Sequence, residues 1–270
     1  MFSRIAFYCS TFLLCYISLF FYPRWQKGGG EATISWDVSG YYWYLPSIFI
    51  YNDIKHQSFK NAILYKYQPT NTEFQQANKC DNGNYVMKYS SGMALMYLPF
   101  FTIAHCFAKI LGYPADGFSM PYQFCIQLGG LLISILGLWY LRKLLLFYYK
   151  DNVVGIVLLL LVLGSNYLNY ASIDCGMSHS WLITVYVFLL LNTMYFYKSF
   201  KLKYAIRIGL LVGLCTLTRP TDIISCIIPI FWGMEGFRKN AIYNQFAIFR
   251  KNIKSLLSDK FYCFAKYSYW

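Results

Sequence analysis

At 270 residues, 57% hydrophobic and 13% charged, the chain is too apolar for an ordinary water-soluble domain. Several runs are long enough to cross a bilayer, so the expected class is an all-α, polytopic transmembrane helical bundle. The net charge of +13 does not point to nucleic acid: the basic residues cluster between apolar runs and toward the C-terminus, as in cytoplasmic loops, with no basic groove or stacking motif.

Ile5–Tyr22 is the first apolar run. It is long for a signal peptide, and Phe20-Phe21-Tyr22 offers no small-residue cleavage site, so it reads as an uncleaved helix stopped by Pro23. Arg24, Lys27 and the Gly28–Gly30 run form a flexible polar exit. The segment from Trp25 to Lys88 is expected to be a long outer insert. Within it, Val38–Tyr51 predicts a short amphipathic helix on the membrane surface, with Pro46 starting or kinking it, and Lys66–Asn84 predicts an exposed loop. Gly92–Leu111, broken by Pro99, is either a kinked span or a helix that dips in and returns. Pro121–Leu141, Val153–Tyr170 and Trp181–Phe196 read as spans, with a polar break at Ala171–Ser180. Ile206–Leu217 and Ile223–Trp232, joined by Thr218–Asp222, are short for two full crossings. Residues 1–235 form the membrane module, and residues 236–270 a basic cytoplasmic tail.

Nine cysteines do not make a disulfide framework here. Cys9, Cys15, Cys106, Cys125, Cys215 and Cys226 lie in or beside apolar runs, where Cys acts as a small hydrophobe. Cys80 and Cys175 fall in expected outer loops, paired or free. No ligand spacing suggests structural zinc.

Basic loops favour the cytoplasm. Placing Arg142–Lys150, Lys198–Lys203 and the tail there puts Ala171–Ser180, Thr218–Asp222 and Asp37 together outside. This requires that Gly92–Leu111 not cross outright, or that one other segment be assigned differently.

Charged groups beside membrane segments are costly and by default suggest function. Asp37, Lys88-Tyr89, the Asp174/His179 pair and the Arg219/Asp222 pair qualify. Moving a sugar from a lipid phosphate needs a base for the acceptor proton, a task for Asp37. It also needs cations at the departing phosphate, tasks for Arg219 and Lys88, with His179 as a further phosphate or hydrogen-bond contact. Each has a structural alternative. Asp37 caps a surface helix; Lys88 snorkels; Arg219 and Asp222 form a local salt bridge; His179 and His105 pack. The aromatic abundance reads as interface belt and lipid-facing packing.

The order WDVSGYYWYLP, KYSSGMALMYLPFF, ADGFSMPYQ, GMSHSW and LTRPTD, over about residues 30–235, resembles the GT-C superfamily of polyprenyl-phosphate-dependent glycosyltransferases. It is most similar to the family 39 branch of protein O-mannosyltransferases and aminoarabinose transferases. The resemblance implies a GT-C-like bundle whose first outer loop carries interfacial helices and an acidic residue, Asp37, serving as base or as a metal- and acceptor-binding group. It places Lys88 where the family carries a phosphate contact. Two departures stand out. The family's Asp-Glu pair is Asp37-Val38 here, and family members carry about twice as many spans, which suggests a C-terminally truncated product.

The expectation is therefore an integral-membrane glycosyltransferase of a bacterial inner membrane, its site facing outward. It would move a sugar from a polyprenyl-phosphate donor to a protein, lipid or glycan acceptor. Asp37 is the catalytic residue, and Lys88, Tyr89, His179, Arg219 and Asp222 bind substrate or phosphate. No cofactor is required, and a divalent metal is compatible. The alternatives are a non-catalytic transporter or flippase-like subunit for lipid-linked sugars, or an inactive fragment.

Overall fold

The computed structural model describes residues 1–234 together with Gly236 and Ala247. The reading of residues 236–270 as a basic tail falls, apart from those two residues, outside the described part. Helix dominates. Among the described residues, four helical segments are long and apolar enough to cross a membrane: Phe2–Gln26, Gly92–Ile110, Met120–Leu145 and Ser178–Ser199.

Helix α1 (Phe2–Tyr16) continues through a wide π turn, Ile17–Phe21, and ends before Pro23, which cannot donate to a further turn. Helices α6 (Met120–Leu145), α7 (Asp151–Leu163), α8 (Ser178–Ser199) and α9 (Leu202–Thr218) complete the bundle with α1. Helix α6 starts with Pro121 in its first turn and closes on Arg142 and Lys143, cations that complement the negative end of the helix dipole. At this end of the bundle Arg142 Nε donates to Ser3 Oγ at 2.8 Å, and Ser3 Oγ donates to Asp151 at 2.5 Å. The start of α1, the end of α6 and the start of α7 therefore share one level. At the opposite end Gln127 Nε2 donates to Ser18 Oγ at 3.0 Å and to the Ser172 carbonyl at 2.9 Å. The core between them is Phe7, Leu14, Leu131, Leu138, Val154 and Leu158.

Val153–Tyr170 is not one span. Helix α7 ends at Leu163, and its 13 residues reach about 20 Å, short of a hydrocarbon core of about 30 Å. Gly164–Asn166 breaks the chain before a second π turn, Asn169–Ile173. Beyond α9, a tight 3₁₀ stretch, Pro220–Cys226, leads to a short helix, α10 (Ile227–Phe231), which agrees with the shortness expected there.

The insert differs more from expectation. Val38–Tyr51 is helical, as α2 (Trp36–Tyr42) and α3 (Tyr44–Phe49), but it does not lie exposed on a surface. Val38 through Trp43, with Leu45 through Ser47, are buried, and Tyr42 and Trp43 are wholly so. Trp43 packs against Phe59, Phe74 and Phe118, with centroids 5.6, 4.7 and 5.2 Å away, and its Nε1 donates to Gln57 at 3.1 Å. These aromatics are the core of the insert rather than a membrane belt. The stretch Lys66–Asn84 is likewise structured. It holds the end of α4 (Lys60–Tyr67) and strand β1 (Ala77–Lys79), which pairs antiparallel with β2 (Tyr85–Met87), Asn78 opposite Val86.

Helix α5 (Gly92–Ile110) is long enough to cross, yet both its ends belong to the insert's end of the bundle. Gly92 abuts Thr218 and Leu217; a Cβ there would lie 2.6 Å from the Leu217 carbonyl carbon. The loop after α5 is bonded to the insert: Tyr42 and Tyr51 hydroxyls donate to the Gly117 and Asp116 carbonyls at 2.6 and 3.0 Å. The Asp116 carboxylate accepts from Lys66 at 2.9 Å and Tyr67 at 2.6 Å. The helix runs unbroken through Pro99, so it neither breaks there nor turns back on itself as a dipping helix would.

Candidate functional site

At the insert's end, residues far apart in sequence converge on two adjoining cavities. The larger, about 680 Å³, is lined by Arg24, Trp36, Asp37, Asn169, Tyr170 and Asp174 among others. The smaller, about 430 Å³, is lined by Tyr170, His179, Tyr186, Arg219 and Asp222 among others. Tyr170 borders both, its ring stacked on His179 with centroids 4.1 Å apart.

Asp37 sits in the first turn of α2, where no side-chain cap is made, so the capping alternative finds no support. Its carboxylate is 40% exposed and 4.0 Å from Lys88 Nζ, itself 43% exposed. Lys88 therefore faces the carboxylate, positioned by its own backbone N–H, which donates to the Gln76 carbonyl at 2.9 Å on the end of the hairpin. Tyr89 closes over this pair. Its ring lies 4.4 Å from Tyr41, and its hydroxyl lies near Asp37. Burial, and then the Asp37 charge, push the Tyr89 phenol well above its ordinary range, so it stays a neutral donor. Burial also raises Tyr41, against the opposing influence of nearby Ser178 and Arg219.

Arg219 follows the last residue of α9. Its Nη2 donates to Ser178 Oγ at 2.8 Å and lies 3.3 and 3.4 Å from the two ring nitrogens of His179. The local Arg219–Asp222 salt bridge is not formed. Asp222 is tied to Arg219 only through its backbone N–H, at 2.8 Å, and its side chain turns to Tyr186. The charges of Asp37 and Arg219 both reach Tyr41, Tyr89 and His179. Asp37, Lys88, Tyr89, His179 and Arg219 thus belong to one constellation, and Asp222 lies at its far edge.

Several contributors carry no role in the sequence reading. Arg24 pairs with Asp174 across 150 residues and also donates to Ser35 Oγ, at 3.0 Å, and to the carbonyls of Gly30 and Glu31, at 3.1 and 3.0 Å. The polar exit is therefore a fixed loop. A charge next to an apolar run was the available signal for Arg24, and the i, i+4 spacing from Asp37 was the signal for Tyr41. Cys175, expected in an open outer loop, is fully buried, Cys80 is exposed, and both are free. His105 packs, with Nδ1 2.5 Å from the Tyr122 hydroxyl.

The donor set does not fit a divalent cation. Of the cavity's carboxylates, Asp174 is held by Arg24 and Asn169, Glu31 by Lys27 and Tyr22, and Asp37 faces Lys88. Among the described residues no three His, Cys, Asp or Glu side chains group as metal ligands. No protein-family model matches the sequence, and no curated protein or solved structure matches it.

Proposed function

We propose that the chain is an integral-membrane glycosyltransferase of the GT-C type, moving a sugar from a polyprenyl-phosphate donor to an acceptor on the outer face of a bacterial inner membrane. The observation that carries this reading is the convergence of one carboxylate with three nitrogen-bearing side chains of the kind that can bind phosphate, Asp37 with Lys88, His179 and Arg219, from four separate segments of an apolar bundle.

In this reading Asp37 takes the proton from the acceptor hydroxyl, and that oxygen attacks the anomeric carbon. The bond from anomeric carbon to phosphate oxygen breaks, and its electron pair leaves with the phosphate. Arg219, Lys88 and His179 offset the charge that develops there, Arg219 through its fork and Lys88 as a point charge. Tyr89, next to Asp37 and neutral, adds no competing charge beside the phosphate.

The test is sugar release and transfer from polyprenyl-phosphate donors by the purified chain and by Asp37→Asn. Loss of transfer in the variant supports the reading; equal activity removes Asp37 from the mechanism. Movement of an intact lipid-linked sugar across vesicles, without transfer, would mark a transporter.

A further inference from the structure

The cation-bearing groups of the site collect around the smaller cavity and Lys88, leaving the larger cavity with a different chemistry. Its volume of about 680 Å³ is that of a small-ligand pocket. The one cation among its lining residues is Arg24. That guanidinium is already committed to Asp174, Ser35 and two carbonyls. A phosphate or carboxylate entering here would meet no free positive group, and would face Asp37.

A cationic ligand fares little better, because each carboxylate already has its counter-charge. Asp174 has Arg24, Asp37 has Lys88 at 4.0 Å, and Glu31 has Lys27 at 3.4 Å. What the carboxylates keep is acceptor capacity, since each oxygen has two lone pairs. Beside them stand three aromatic rings: Tyr22, one face covered by Lys27 at 3.3 Å, Tyr170, one face stacked on His179, and Trp36, 41% exposed. Trp36 is held in place by its Nε1 bond to the Gly30 carbonyl at 3.1 Å and its backbone bond to the Pro69 carbonyl at 2.9 Å. It also carries a positive φ of 45°, rare for a bulky residue, on the position immediately before Asp37. Neutralised acceptors around apolar rings suit a ligand with many hydroxyl donors at its edges and C–H faces for the rings.

We propose that this cavity receives the acceptor, and that the acceptor group it takes is an uncharged saccharide stacked on Trp36 with a hydroxyl presented to Asp37. The inference rests on the glycosyl-transfer reading for its reaction, but the ligand class can be tested without it.

The experiment measures binding of three probes to the full chain in nanodiscs without donor: chitotetraose, a Ser/Thr-rich peptide and glucosamine 1-phosphate. Wild type, Trp36→Ala and Trp36→Tyr are compared. Chitotetraose is expected to bind at least tenfold more weakly to Trp36→Ala and within threefold of wild type for Trp36→Tyr, which keeps a ring. It should also protect Trp36 of the wild type from chemical oxidation, a readout that needs no variant. No chitotetraose binding, no protection of Trp36, or Trp36-dependent preference for the peptide or the phosphosugar overturns the proposal. A parallel transfer assay separates the two claims. Transfer to the peptide or phosphosugar supports the transferase and sinks the saccharide acceptor. Trp36-dependent chitotetraose binding in a chain that never releases donor sugar does the reverse.

Discussion

Gly130 and Gly213 both lie inside apolar helices, α6 and α9, and the same substitution should act on them with opposite sign. A Cβ on Gly130 would fall 2.6 Å from the carbonyl carbon of Cys175 and 2.8 Å from its Cβ, distances real side chains do not adopt. Neither atom can rotate away, because Cys175 is fully buried and its carbonyl accepts from Trp181 Nε1 at 2.8 Å. Gly130→Ala must therefore push apart α6 and the Asp174–Met177 turn that leads into Ser178 and His179. Overpacking of this kind costs about 1–3 kcal/mol, against which the helix-propensity gain of Ala over Gly returns at most about 1 kcal/mol. Around Gly213 nothing lies within 4 Å, so Gly213→Ala keeps the propensity gain. The assay is thermal or denaturant unfolding of the purified variants in one detergent. Gly130→Ala should melt lower than wild type and Gly213→Ala the same or higher. Gly130→Ala at or above wild type would refute the close approach of α6 to the turn, and with it the positioning of His179 and Ser178.

Two further outcomes are expected. Arg219→Lys keeps the charge but loses the planar fork that reaches Ser178 at 2.8 Å and His179 at 3.3 Å; loss of one such donor should lower the transfer rate constant about 100-fold or more, and a rate within threefold of wild type would exclude Arg219 from the phosphate. Tyr89 has its phenol pKa raised by burial and by Asp37, so its neutral form favours the folded state below the unfolded value of about 10, and that contribution is lost only as pH climbs above it. The ultraviolet difference spectrum between wild type and Tyr89→Phe at pH 10 should therefore show no tyrosinate; a full tyrosinate signal from Tyr89 would contradict its burial beside Asp37.

The sequence made Asp37, Lys88, Tyr89, His179 and Arg219 legible for one reason: charged and polar groups beside apolar runs are costly, so they stand out. The partnerships among them were not legible. Arg24 and Asp174 meet across 150 residues, and nothing local to either indicates the other. Composition also misassigned the aromatics of the insert. Tyr42 and Trp43 carry the signature of an interfacial belt, yet Phe59, Phe74 and Phe118, which bury Trp43, come from later segments. The hairpin had its own signal in Asn82-Gly83 between two short runs, but strands of three residues give no alternation to read.

Helix α8 begins beside Arg219, and its 22 residues carry the chain about 33 Å, so Lys198–Lys203 lies at the end where Arg142 meets Ser3. Arg142–Lys150 lies there too. Both basic clusters occupy one end, and Asp37, Asp116 and Asp174 the other. Had α5 crossed, its loop would have been carried away from the insert, and Asp116 could not accept from Lys66 at 2.9 Å and Tyr67 at 2.6 Å. A charge segregation that the positive-inside tendency favours thus goes with an apolar helix, containing Pro99 and His105, that packs against α6 with both ends on the side of the insert, His105 bonding to Tyr122 at 2.5 Å. Lys88 and Tyr89 precede α5 and are set beside Asp37 from the hairpin instead, where the Lys88 backbone N–H donates to the Gln76 carbonyl at 2.9 Å and its ammonium lies 4.0 Å from the carboxylate.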